Sequence, residues 1–141
     1  MKKLILALAA SAVMAGSAFA GDIGVSMANS DTFLTVLRKG IEKAAGDASQ
    51  PVLIEIADDD VNKQLSQVQN FIAAKVDAII VNAVDTSATA PMTKLANDAG
   101  IPIVYVNRQP IDVDALGAKG AFVASNEVDS GTLETKEVCR L

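Results

Sequence analysis

The sequence predicts an α/β fold, a doubly wound parallel sheet in three αβα layers, and two observations predict it. Short runs of β-branched and apolar residues alternate with stretches whose apolar residues recur every three or four positions, the pattern of strands joined by crossover helices. The runs themselves, such as Ile103, Val104, Tyr105 and Val106, carry no polar residue on either face, as strands covered by helices on both sides do.

The first segment stands apart from that fold. Lys2 and Lys3 precede an apolar run from Leu4 to Ala15, and Ala18, Phe19 and Ala20 match a small-x-small cleavage pattern. The run is too short for a membrane span, which needs roughly 20 residues. Residues 1–20 are therefore expected to be a signal peptide, which places the protein in the periplasm with Gly21 first.

The first strand is read as Ile23 to Met27, followed by the turn and capping residues Asn29, Ser30 and Asp31. Phe33, Leu37, Ile41 and Ala44 then mark one face of a helix, bracketed at its end by Gly46 and Pro51. Val52 to Ala57 form the second strand, closed by Asp58, Asp59 and Asp60. A second helix carries the stripe Val61, Leu65, Val68 and Ile72, with Gln64, Gln67 and Asn70 on its other side. Ala78 to Val81 are the third strand, ending in Asn82. Pro91 is tolerated only in a first helical turn, so the third helix begins near Thr89 or Ala90 and ends at Gly100. The fourth strand lies in Ile101 to Pro110 and the fifth is Ala121 to Ala124. A last helix is placed from about Ser130 to Leu141, a short ending that leads to the expectation of a shortened chain. The expected strand order is the flavodoxin-like 2-1-3-4-5.

Composition excludes several functions. With 12 Lys and Arg against 17 Asp and Glu the net charge is −5, and it becomes −7 without Lys2 and Lys3. Such a chain is a poor partner for nucleic acid, whose binding rests on phosphate neutralisation. There is no histidine, which removes Ser-His and Cys-His nucleophile pairs and histidine metal sites. The single cysteine, Cys139, has no partner for an intramolecular disulfide. Neither an enzyme nor a cofactor is expected. The triple carboxylate Asp58 to Asp60 reads as a helix cap at a positive N-terminal end, against a metal site or the acidic phosphoacceptor pocket of a receiver-like regulatory domain.

Right-handed crossovers bring the loops after every parallel strand to one edge, where ligands of open α/β sheets bind. That edge gathers Asn29 to Phe33, Asn82, and the pair Asn107 and Arg108. An Asn side chain offers a donor and an acceptor in one plane, and Arg offers a rigid fork for two adjacent hydroxyls. Phe33 can supply an apolar face to the C–H side of a ring. These groups suit a neutral polyol.

The segments DIGVSMANSDTFLTVLRKGI, DAIIVNAVDTSATAPMTKLANDAGIPIVYVNRQP and FVASNEVDSGTLE resemble a periplasmic sugar-binding protein of an ABC importer, of the ribose-binding type. SDTFLTVLRKGI and VYVNRQP are most similar to the branch that binds myo-inositol, rhizopine and related cyclitols. The resemblance implies a sugar or cyclitol ligand and a membrane permease as partner. It implies that Phe33 stacks on the ring, that Asp31 or Ser30 reaches a hydroxyl, that Asn82 donates and that Arg108 forks onto adjacent hydroxyls. Where the ribose-type pattern has aspartate this chain has Asn107, which turns the expectation from ribose towards a cyclitol, and where that pattern has an aromatic it has Thr32, which leaves one stacking face missing. It further implies that residues 21–124 are the N-terminal lobe, with a hinge at Ser125 and Asn126 leading into a second lobe represented only by residues 125–141.

Overall fold

A computed structural model of the protein describes residues 21–141. The expected signal peptide lies outside the described residues. Five strands and four helices alternate: β1 (Ile23–Met27), α1 (Thr32–Asp47), β2 (Val52–Ile56), α2 (Val61–Ala73), β3 (Ala78–Val81), α3 (Thr89–Ala99), β4 (Ile103–Val106), β5 (Gly120–Val123) and α4 (Glu127–Arg140), with single 3-10 turns at Thr86–Ala88 and Val113–Ala115. The sheet has the order β2-β1-β3-β4-β5. Every neighbouring pair is parallel, with Ile23 opposite both Val52 and Ala78, and Ile103 opposite Ile79 and Gly120.

This order divides the helices between the two faces. The step from β1 to β2 runs one way along the sheet and the steps to β3 and β4 run the other, so right-handed crossovers put α1 on one face and α2 with α3 on the opposite face. Two cores result. Val68 and Phe71 of α2 and Met92 and Ala96 of α3 pack on Ile79, Val81, Ile103 and Tyr105. Leu34, Leu37 and Ile41 of α1 pack on Val25, Met27, Ile54 and Ile56. Each helix of the first pair leans on an alternate residue of the strand beneath it, which is the period-2 geometry of a pleated strand. At Gly24 the Phe71 ring comes so close that a Cβ would stand 2.5 Å from its Cγ, and only glycine leaves room.

Coverage of the two faces is unequal. On the α1 side, Val104 and Val106 are half-buried, Ala121 is exposed and Val123 is 60% exposed. Among the described residues no helix lies over that part of the sheet.

Four expectations need correction. The fifth strand begins one residue early, at Gly120. The last helix begins at Glu127 and not near Ser130, because the Asn126 side chain accepts from the Val128 and Asp129 N–H groups and caps it there. The α1 stripe turns on Leu34, Leu37, Ile41 and Ala45 and leaves Phe33 outside it, 62% exposed. In α2 the glutamines are the buried face: Gln64 and Gln67 lie against the sheet with Val68 and Phe71.

Candidate functional site

The carboxyl ends of the strands carry the candidate site. Asn82, directly after β3, is fully buried. Its side-chain oxygen accepts from the Ala28 N–H at 3.4 Å and its amide nitrogen donates to the Val106 carbonyl at 3.3 Å. One amide therefore ties the ends of β1, β3 and β4 together. Both of its ends are spent inside the protein, so the structure places it beneath the edge as a strut.

Asn107 follows β4 with φ of 68°, in the left-handed region that Asn tolerates better than most residues. The Arg108 N–H bonds back to the Val106 carbonyl at 2.8 Å, closing a three-residue turn around Asn107, whose own N–H donates to Val123 at 3.0 Å. The turn ends the strand abruptly and re-aims the next side chain. Arg108 lies over the β3 loop, its Nη1 donating to the Ala83 carbonyl at 2.9 Å and the Val84 carbonyl at 3.1 Å. Among the described residues it has no carboxylate partner, and the other edge of the guanidinium makes no protein hydrogen bond.

Phe33 meets Asn107 in a cleft of about 250 Å³ whose walls include Leu37, Val106, Val123 and Ser125. A second, more polar cleft of about 420 Å³ shares Asn107, Ala124 and Ser125 with the first and reaches Gln109, Asn126 and Glu127. An apolar hollow of about 350 Å³ lies at the opposite end of the strands, between Ile23, Ile41, Ala45, Val52 and Ile80. Only Gln50 among its walls is polar enough to orient a polyol, so the chemistry points to the carboxyl edge.

The remaining candidates have structural duties. Asp31 caps α1, accepting from the Leu34 N–H at 2.7 Å, and Ser30 beside it is exposed, with its carbonyl accepting from the Thr35 hydroxyl. Neither lines the two clefts. Asp60 caps α2 through the Asn62 and Lys63 N–H groups, Asp58 pairs with Lys63 at 2.5 Å, and Asp59 accepts from Asn29 at 2.9 Å. The acidic run is thus taken up by capping and surface pairs. Asp85 caps the turn at Thr86, and the Ser87 hydroxyl and N–H hold its carboxyl below the usual range. Ser125 and Asn126 form the short link between β5 and α4, where the Ser125 hydroxyl donates to Glu127.

Sequence reasoning missed the polar layer under this edge. Gln64 is fully buried: its Oε1 accepts from the Val84 N–H at 2.8 Å, and its Nε2 donates to the Asn82 carbonyl at 3.0 Å and the Ser26 hydroxyl at 3.1 Å. Ser26 donates to Gln67 at 2.7 Å, and Gln67 donates to the Ile56 carbonyl at 2.9 Å. The signal that finds them is Phe71, seven residues beyond Gln64 and four beyond Gln67. Centring the apolar face of α2 on that aromatic turns both glutamines inward.

The chain matches the periplasmic binding protein domain over residues 23–141. It is 58% identical over 143 residues to a protein named for rhizopine binding from Rhizobium meliloti, an alignment covering all of this chain and 46% of the relative. A ribose import binding protein of Bacillus subtilis is 35% identical over 112 residues, covering 79% of this chain and 35% of that one. Among solved structures, an ABC transporter solute binding protein from Bacillus halodurans C-125 with bound myo-inositol superimposes with a TM-score of 0.79 at 39% identity, over 89% of this chain and 43% of the other. One from Actinobacillus succinogenes 130z with bound D-allose gives 0.77 at 30% identity, over 85% and 44%. The chain spans less than half the length of each of these proteins. Fold, strand order and sequence agree in one assignment: the chain belongs to the periplasmic binding protein family.

Proposed function

We propose that this chain binds a cyclitol or monosaccharide as the solute-binding component of an ABC importer in the periplasm, handing the ligand to a membrane permease without chemical change. The observation that carries the reading is the cleft at the carboxyl edge that the exposed Phe33 and the polar turn of Asn107 line together, with the anchored fork of Arg108 following directly in the chain. A flat apolar ring and planar donors are the two surfaces a polyol presents a need for, one along its C–H side and one along its hydroxyls. The likeness to proteins named for rhizopine and ribose, and to structures holding myo-inositol and D-allose, supports the same class.

In this reading Phe33, Asn107 and Arg108 touch the ligand, Asp31 or Ser30 reaches a hydroxyl at the rim, and Asn82 fixes the strand ends beneath them. Ser125 and Asn126 act as a hinge towards a second lobe, in keeping with the share of the relatives that the chain spans. The clefts described here are open to solvent, and a site gains much of its affinity by enclosing its ligand. This lobe alone is therefore expected to bind myo-inositol only in the millimolar range. An NMR titration of the isotope-labelled protein tests this: amide shifts at Phe33, Asn107, Arg108 and Ser125 should move together with myo-inositol. Movement elsewhere with none at these four would sink the assignment.

A further inference from the structure

We propose that Gln64, on the buried face of α2, is the positioning residue for Arg108. The argument is one of peptide geometry. In a trans peptide the N–H and C=O point in opposite directions. Gln64 Oε1 holds the Val84 N–H, and the carbonyl of that same peptide unit belongs to Ala83 and accepts from Arg108 Nη1. Pulling the N–H down into the core thus turns the carbonyl up to the guanidinium. Gln64 Nε2 grips the preceding peptide by the Asn82 carbonyl, so two consecutive units of the β3 loop are fixed by one side chain.

The rest of the layer holds Gln64 itself. Its third hydrogen bond, to Ser26, is backed by Gln67, which is anchored on the Ile56 carbonyl. All donors and the acceptor of the Gln64 amide that the layer uses are buried, where an unmade bond costs most. A hydrophobic residue of similar size fills the space without gripping either peptide. The Ala83 and Val84 carbonyls then lose their common aim, and the guanidinium loses the anchor that leaves its other edge free.

The inference rests on Arg108 serving as the ligand's fork, and the experiment separates the two. In the wild-type protein the Arg108 Nη signals should be split by slow rotation, the Val84 amide should be protected from exchange, and a scalar coupling across the hydrogen bond should link the Val84 nitrogen to the Gln64 side-chain carbonyl carbon. Gln64→Leu should merge the Nη signals and speed Val84 exchange about tenfold, whereas Gln69→Leu, on the exposed side of the same helix, should leave both in place. With myo-inositol as probe, Gln64→Leu should weaken binding about tenfold when Arg108 is present and less than twofold on an Arg108→Ala background. Equal losses on both backgrounds, or unchanged Arg108 signals in Gln64→Leu, overturn the proposal. If that variant does not fold, a wild-type Val84 amide that exchanges like an open loop and shows no coupling overturns it as well. Wild-type protein that ignores myo-inositol removes the ligand reading and leaves the spectroscopic test of Gln64 intact.

Discussion

Tyr105 and Arg108 stand three residues apart and show how a strand changes character at its end. Tyr105 is fully buried against α3, its hydroxyl sharing a hydrogen bond of 2.9 Å with Thr93 and donating to the Thr89 carbonyl at 3.2 Å. Burial pushes that hydroxyl up to about 12 against the lowering effect of Thr93, and the Asp112 carboxylate pushes it further up. The folded protein therefore keeps a proton that the unfolded chain releases near 10. The stability that this proton contributes is fully present below pH 10 and is lost as the pH rises from 10 to 12. Tyr105→Phe should remove that slope, up to roughly 2–3 kcal/mol, in denaturant melts taken across this range. At Asn107 the expected effect is on selectivity. Asp also tolerates the left-handed turn but only accepts hydrogen bonds, so Asn107→Asp should favour ribose over myo-inositol by roughly threefold to tenfold, about 1 kcal/mol, in competitive titrations. The place of Asn107 and Arg108 was legible in the sequence, because a polar pair directly after an apolar run marks where a strand stops. Gln64 was not, because a glutamine carries no sign of which peptide it will hold.

At the level of elements, the three crossover helices finish alike. After α1, α2 and α3 the chain enters the left-handed region at Ser49 (φ 54°), Lys75 (φ 59°) and Gly100 (φ 71°). In each case that residue bonds back three positions and the next one bonds back five, to Ala45, Phe71 and Ala96, which satisfies carbonyls the helix leaves open. Only Gly100 adopts this shape without a side-chain clash. Lys75→Gly should stabilise the protein by about 0.5–1 kcal/mol, the left-handed penalty less the entropy glycine adds to the unfolded chain, read as a raised denaturation midpoint. Gly24→Ala should do the reverse, losing roughly 1–3 kcal/mol as β1 and the Phe71 ring are forced apart. Strand positions were legible to within a residue because apolar runs and their turn residues mark both ends. Helix ends were less so: the glycine at position 46 lies inside the last turn of α1, Ala48 is the cap, and Ser49 takes the left-handed position after it.

For the molecule as a whole, the strand order was legible because crossover handedness leaves few arrangements of five alternating units. The unequal covering of the sheet was not, since residue pattern marks β4 and β5 as apolar on both faces without saying what lies above them. Phe33 belongs to the same blindness: a helical period counts an aromatic into the core unless the neighbouring stripe is known.

The capped but wholly exposed α4 carries a consequence of its own. Every residue from Ala124 to Leu141 is exposed, so its 14 helical residues fold with little help from the sheet, near the length at which lone helices are marginal in water, about 12–15 residues. Its opening is then an equilibrium separate from that of the core. Thermolysin at low dose should cut between Val128 and Leu141 well before it touches α1 to α3, and mass spectrometry should find a resistant product ending near Asn126, the boundary at which the cooperative unit stops.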